Sequence, residues 1–216
     1  MNYKSYAVLG LGRYGMAVAD ELMDRGADVL AVDHNEKIIN ENAHKYTQAV
    51  IADLTDVDAI RQLSLGTMDA VIVAMAQNLE ASIMCVMVAK ESGVHKVIAK
   101  AENRRKGDIL KKIGADQIVI PEKESGRREA FRLMSRGLIQ FFDLTSDLVI
   151  AEIEPHKDWC GKTLRDLALR NKYGLNVIAT RKKDKVVLVD NGNAVINKGE
   201  PLLIVLSKED LDKLER

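Results

Sequence analysis

The chain has no surplus of either charge. Its 216 residues carry 32 lysines and arginines against 32 aspartates and glutamates. A protein that neutralises many nucleic-acid phosphates needs a basic surplus or stripe, so the balance argues against that role. Aromatic residues make up only 4%, so the core must rest on Ile, Leu, Val, Ala and Met. The two cysteines, Cys85 and Cys160, lie far apart. They suggest neither a disulfide framework nor a metal cluster, and fit a reduced, cytoplasmic compartment. No apolar run approaches the roughly 20 residues that cross a bilayer. The N-terminus lacks the charged-then-apolar pattern of a signal peptide. Any link to a membrane is therefore expected to run through a partner.

What is present has a clear rhythm. Short β-branched runs recur at Tyr6–Leu9, Asp28–Val32, Gln48–Ala52, Ala70–Ala74, Lys96–Ala99 and Gln117–Ile120. They are near-continuous apolar runs, as expected for strands covered on both faces. Helical stretches fall between them. Gly26, Gly66, Gly93 and Gly114 each follow a helix and precede a strand. Thr55 with Asp58 reads as a capping box, and Asn78 and Asn103 as N-caps. Alternating strands and helices predict a Rossmann-like, doubly wound parallel sheet. A basic amphipathic helix follows over Lys123 to Leu138, with Phe131 and Leu138 on one side.

The last third changes pace. It predicts strands at Leu148–Ile153, Asn176–Arg181, Lys185–Val189 and Leu202–Leu206. A short helix is expected over 163–170, opened by Thr163. Ser207-x-Glu209 is expected to start a final charged helix. The expected organisation is a nucleotide-binding domain over 1–140 and a small α+β domain over 141–216. A domain of the second size is marginal alone, so dimerisation through it would help bury its core.

The chemistry concentrates after the first strand. Gly10-Leu11-Gly12-Arg13-Tyr14-Gly15 is G-x-G-x-x-G between a strand and a helix. Gly10 permits the turn, Gly12 lets backbone approach phosphates, and Gly15 lets the helix pack on the sheet. The helix N-terminus offers free N–H groups to an anion. Asp33 ends the second strand, where an acid meets ribose hydroxyls and repels a 2′-phosphate. His34 follows it and could touch ribose or adenine. Asp53 and Leu54 end the third strand, on the adenine side. Met75, Ala76 and Gln77 end the fourth and face the glycine loop. Asn78 reads equally as a helix cap. Lys100 ends the fifth and could reach phosphates. Arg13 sits in the loop itself and can donate to phosphate oxygens. Glu122 ends the sixth strand, where a carboxylate beside phosphates suits a divalent cation or a surface ion pair. His34, His44, His95 and His156 lie in no catalytic constellation, and no nucleophile elbow or Walker lysine motif occurs. A nucleotide with no visible chemistry points to sensing.

The ordered set resembles a known family. Val8 to Gly15, Ala31-Val32-Asp33, Gly114-Ala115-Asp116 and Ile120-Pro121-Glu122-Lys123 are similar to the RCK (regulator of K⁺ conductance) domains of the TrkA/KtrA group. Gly161 to Leu167 and Asn171 to Gly174 resemble that family's C-terminal domain. The resemblance implies a cytosolic regulatory subunit of a Ktr-type potassium uptake system. It implies an octameric ring of dimers beneath a membrane transporter subunit, with ATP and ADP competing for the glycine-loop site. By the same resemblance the nucleotide contacts are Arg13, Asp33, His34, Asn35, Asp53, Leu54, Met75, Ala76, Gln77, Lys100, Ala101 and Glu102. Arg13 would reach the terminal phosphate of a neighbour's ATP. Glu122 would hold a divalent cation, Mg²⁺ or Ca²⁺, at the dimer interface. Cyclic di-AMP is a further candidate ligand of the C-terminal domain, near Asn171 and Ile178. Alternatives are an NAD(H)-binding TrkA-type regulator and a small NAD-dependent oxidoreductase. A redox-sensing transcriptional regulator would need a basic helix-turn-helix segment, which the sequence lacks.

Overall fold

A computed structural model describes residues 4–134, 137–145, 147–183 and 185–210. The chain divides into two compact units, Met1–Lys123 and Glu124–Arg216.

The first unit alternates strand and helix as the apolar rhythm dictates. β1 (Ser5–Leu9), β2 (Asp28–Asp33), β3 (Gln48–Ile51), β4 (Ala70–Val73), β5 (Lys96–Lys100) and β6 (Gln117–Val119) form one parallel sheet. Its order is β3-β2-β1-β4-β5-β6, so the strand order reverses between β1 and β4. Between the strands run α1 (Arg13–Asp24), α2 (Glu36–Asn42), α3 (Val57–Gln62), α4 (Leu79–Glu91) and α5 (Arg104–Ile113). The central strands β1 and β4 are almost wholly buried, which is why they show no polar alternation. Two apolar clusters form, one containing Leu9, Val73 and Cys85, the other Val8, Leu11 and Ile72. Adjacent residues of β1 thus feed opposite faces of the sheet.

Local signals explain most boundaries. The Asn78 and Asn103 side chains accept from the Ala81 and Lys106 amides and cap α4 and α5. The cap of α3 is Asp56, not Thr55: Asp56 accepts from the Asp58 amide, while Thr55 turns back to Asp53. Gly66 ends no helix but sits inside a 3₁₀ turn, Leu65–Thr67, where a Cβ would approach the Ser92 carbonyl to 2.5 Å.

α6 runs Pro121–Met134, beginning earlier than expected because proline suits the first helical turn. It stops short of Leu138. Gly137, at φ +83°, precedes a strand rather than the end of a helix, β7 (Leu138–Asp143). The side chain of Phe131 lies outside the described set.

The second unit is an antiparallel sheet of β7, β8 (Leu148–Ile153), β9 (Asn176–Lys182), β10 (Lys185–Leu188) and β11 (Leu202–Ser207), in the order β10-β9-β11-β8-β7. Because β7 pairs with β8, the expected boundary at 140 falls inside a strand of this sheet. The expected helix over 163–170 is broken in two, α7 (Leu164–Leu167) and α8 (Leu169–Tyr173). Ala168 between them adopts left-handed backbone, φ +48°. Thr163 caps α7. Ser207 closes β11 and also opens a helix at Lys208, as expected: its hydroxyl accepts from the Asp210 amide at 3.1 Å, and the residues after Asp210 lie outside the described set.

One charge is buried in this sheet. Glu152 is 3% exposed. It accepts from Arg181, with Nη2 at 3.0 Å from Oε2, and from Gln140 Nε2 at 2.8 Å. Removing the cation would leave a buried carboxylate half-satisfied. Arg181→Met is expected to cost about 2 kcal/mol, discounted because the arginine is partly exposed. Arg181→Met with Glu152→Met should recover more than half of that loss; chemical denaturation of the four proteins measures the cycle.

The two cysteines also differ. Cys85 is fully buried and burial pushes its thiol up to about 12, whereas Cys160 is half-buried. At neutral pH a thiol reagent should modify one cysteine per native chain, and the second only after unfolding. Counting modified thiols by mass checks it.

Candidate nucleotide-binding site

A cleft of about 860 Å³ opens at the carboxyl ends of the parallel strands, at the point where their order reverses. Its floor is the glycine loop. Gly10 adopts φ +95°, and a Cβ there would come within 2.5 Å of Met75 Cγ. At Gly15 a Cβ would stand 1.9 Å from the Gly10 carbonyl oxygen. Both glycines are therefore required by the protein's own packing. Gly12 is different. Its backbone, φ −67°, suits any residue, and a Cβ there would meet no atom within 4 Å. Packing does not call for glycine at this position; the open space leaves the backbone accessible to close approach.

Gly12 is also the N-cap of α1. It supplies no side-chain acceptor, and the first turn contains no acidic residue. The helix thus presents its positive end to the cleft with no carboxylate from its own first turn against it. Exposed Arg13 stands in that turn and makes no ion pair among the described residues. Lys100, from the end of β5, places its ammonium 5.7 Å from the centroid of the Tyr14 ring. One end of the cleft thereby carries two cations and a helix N-terminus, the chemistry that receives phosphates.

Asp33 ties the loop in place. It is 6% exposed. One carboxylate oxygen accepts from the Leu11 amide at 2.6 Å, the other from the Asn35 amide at 2.8 Å. His34 Nδ1 lies 3.2 Å from the second oxygen. Asn35 caps α2 through the Lys37 and Ile38 amides. At β3, Asp53 accepts from both the hydroxyl and the amide of Thr55, at 2.7 and 2.9 Å. Those bonds hold its carboxyl below the usual range, with the nearby His34 charge adding to the effect. Leu54, 3% exposed, belongs to the apolar core and also lines the cleft.

Glu122 pairs with Lys100, Nζ to Oε1 at 2.8 Å. That hydrogen bond, its own backbone amide in the first turn of α6, and the charge of Arg13 hold its carboxyl below the usual range. Of the two readings of Glu122, the ion pair is the one seen. Among the described residues no group of three His, Cys, Asp or Glu gathers to hold a metal.

The cleft thus brings together Gly10, Gly12, Arg13, Asp33, His34, Asn35, Asp53, Leu54, Met75, Ala76, Gln77, Lys100 and Glu122. It leaves out three residues. Gly15 lies beneath the loop. Ala101 is 1% exposed and part of the core. Glu102 is held by Lys106, one helical turn on. The lining also includes Tyr14, Ile38, Thr55, Asn78 and Pro121. Tyr14 occupies a free position of the glycine motif and Thr55 read as a cap, so neither announced itself. In the second unit, a shallower cleft of about 320 Å³ includes Arg165, Arg170 and Asn171 in its wall, but not Ile178.

Comparisons agree with this architecture. Residues 6–121 match the TrkA-N domain and residues 148–216 the TrkA-C domain. The chain is 36% identical to Ktr system potassium uptake protein C of Bacillus subtilis, covering 99% of this chain and 96% of that protein. It is 37% identical to Ktr system potassium uptake protein A of Vibrio alginolyticus, covering 96% and 94%. The solved GsuK RCK domain superposes with a TM-score of 0.68 at 18% identity, over 99% of this chain and 47% of that one. The chain therefore belongs to the KtrA/TrkA-type RCK-domain family of potassium-transport regulatory subunits.

Proposed function

We propose that the chain is the cytoplasmic, nucleotide-sensing subunit of a Ktr-type potassium uptake system. It works as an octameric ring on a membrane transporter subunit, switched by ATP against ADP. The observation that carries the reading is Gly12, a glycine with nothing around it, at an uncapped helix N-terminus flanked by Arg13 and Lys100. Strand order supplies the orientation. Neighbouring strands lie about 4.8 Å apart, so a nucleotide can run along their ends from β1 to β3. Its phosphates lie on the glycine loop, its ribose by Asp33 at β2, and its base by Asp53 and Leu54 at β3. Asp33, already committed to two amides, disfavours a 2′-phosphate. NAD(H) is the alternative ligand of the same cleft.

No described helix is long and apolar enough to cross a membrane, so action on a transporter calls for a membrane partner. The oxidoreductase reading is disfavoured because the relatives matched over almost their whole length are named potassium uptake proteins. A divalent cation at Glu122 would draw its other ligands from phosphates or a second copy. Arg165, Arg170 and Asn171 mark the proposed place of cyclic di-AMP.

A ligand shifts a two-state equilibrium only through unequal affinity for the states. ATP carries one phosphate more than ADP. Arg13, donated to a neighbour's terminal phosphate in one ring shape only, supplies that inequality. Coupling of this kind is worth about 1–3 kcal/mol per site. In reconstituted vesicles, Arg13→Ala should keep ADP affinity and lose ATP-stimulated potassium flux; undiminished stimulation would reject the role.

Gly12→Ala separates ligand contact from packing. Its melting should stay within about 0.5 kcal/mol of the parent. Its affinity for ADP should fall about tenfold or more, equivalent to at least about 1.4 kcal/mol. Calorimetric titration alongside thermal melting reads both; unchanged affinity would remove the loop from the phosphate site.

A further inference from the structure

Glu122 sits in an unusual place for a carboxylate. It reaches from the first turn of α6 into the cationic end of the cleft and holds the ammonium of Lys100. Lys100 is the less free of the two, with its side chain 15% exposed against 69% for Glu122. The lysine is therefore fixed by its surroundings, at the end of β5 and against the Tyr14 ring, while the carboxylate comes to it. Three positive features surround that carboxylate: Lys100, Arg13 and the N-terminus of α6. The same lysine and arginine stand beside the open end of α1, where phosphates fit. A carboxylate and a phosphate cannot both be the near neighbour of one ammonium without facing each other across a short distance.

We infer that Glu122 is an internal competitor, a carboxylate that occupies Lys100 in the empty cleft and must be displaced by an incoming phosphate. The inference rests on the nucleotide reading above and adds a regulation to it. While Glu122 holds Lys100, the start of α6 is tied to the end of β5. When a phosphate takes the lysine, that tie is released. α6 is the segment in which the chain passes from the first compact unit to the second, since the division lies between Lys123 and Glu124. Phosphate occupancy is thereby reported at the first turn of the helix that leads out of the nucleotide domain. The competition also lowers the affinity for every phosphate-bearing ligand of the cleft, keeping the site exchangeable.

A cycle on the full-length protein tests this, by calorimetric titration with ADP in the presence of EDTA. Glu122→Gln should bind ADP about five- to tenfold more tightly than the parent. Lys100→Met should bind about tenfold more weakly. In the Lys100→Met background, adding Glu122→Gln should change affinity by less than about twofold, because the contested cation is gone. Unchanged or weaker binding by Glu122→Gln would overturn the inference. So would a gain of the same size in both backgrounds, which would mean plain repulsion between Glu122 and phosphate. Glu122→Asp, one methylene shorter, should fall between the parent and Glu122→Gln; an affinity equal to that of the parent would count against a contact that depends on reach. If the parent binds neither ADP, ATP nor NAD, the nucleotide reading itself fails. A parent that binds with no gain in Glu122→Gln leaves that reading intact and removes only the competition.

Discussion

The site depends on how closely one helix approaches one turn. α1 begins so near the first strand that a single methyl group on Gly15 would overlap the Gly10 carbonyl. Only that closeness brings the helix N-terminus into the mouth of the sheet. The Asp33 carboxylate then locks the arrangement, bridging the Leu11 amide of the loop and the Asn35 amide at the start of α2. Two strands, two helices and the loop are joined through one buried acid. Such an acid costs energy to bury unless its oxygens are bonded, and here both are. Its role in the fold thus comes before any role on a ribose.

Much of this was legible in the residues. Apolar runs located all six parallel strands to within a residue or so. The glycine motif after β1 placed the site, because its spacing answers a steric need that no other residue type meets. What stayed hidden depended on contacts between distant segments. β7 reads Leu-Ile-Gln-Phe-Phe-Asp, which continues an amphipathic helix as readily as it forms a strand. Pairing with β8 decides the matter. The break at Ala168 had no glycine to announce it. Thr55 looks like a cap in isolation, but Asp53, two residues away, engages it from the side of the cleft. Ala101 and Glu102 are implied only by family resemblance; here the first is core and the second, just ahead of α5, is paired with Lys106 in that helix's first turn.

Zero net charge takes on a local meaning. The cations that matter lie at one end of one cleft, and one of them is already neutralised from within. Glu122 and Lys100 lie 22 residues apart, on different elements, and nothing in their spacing pairs them. The pair makes the empty site electrostatically quiet. Under the inferred competition, the entry of an anion is felt at the beginning of α6, the link a sensor needs between its ligand and the rest of its chain.

The central claim is that one nucleotide binds in the glycine-loop cleft of each chain and that the chains act as a ring. Native mass spectrometry of the intact protein, titrated with ATP and with ADP, reads stoichiometry and assembly together. The account predicts a particle of eight chains that takes up one nucleotide per chain. A monomer or dimer at every nucleotide concentration, or a particle that takes up no nucleotide, would contradict it.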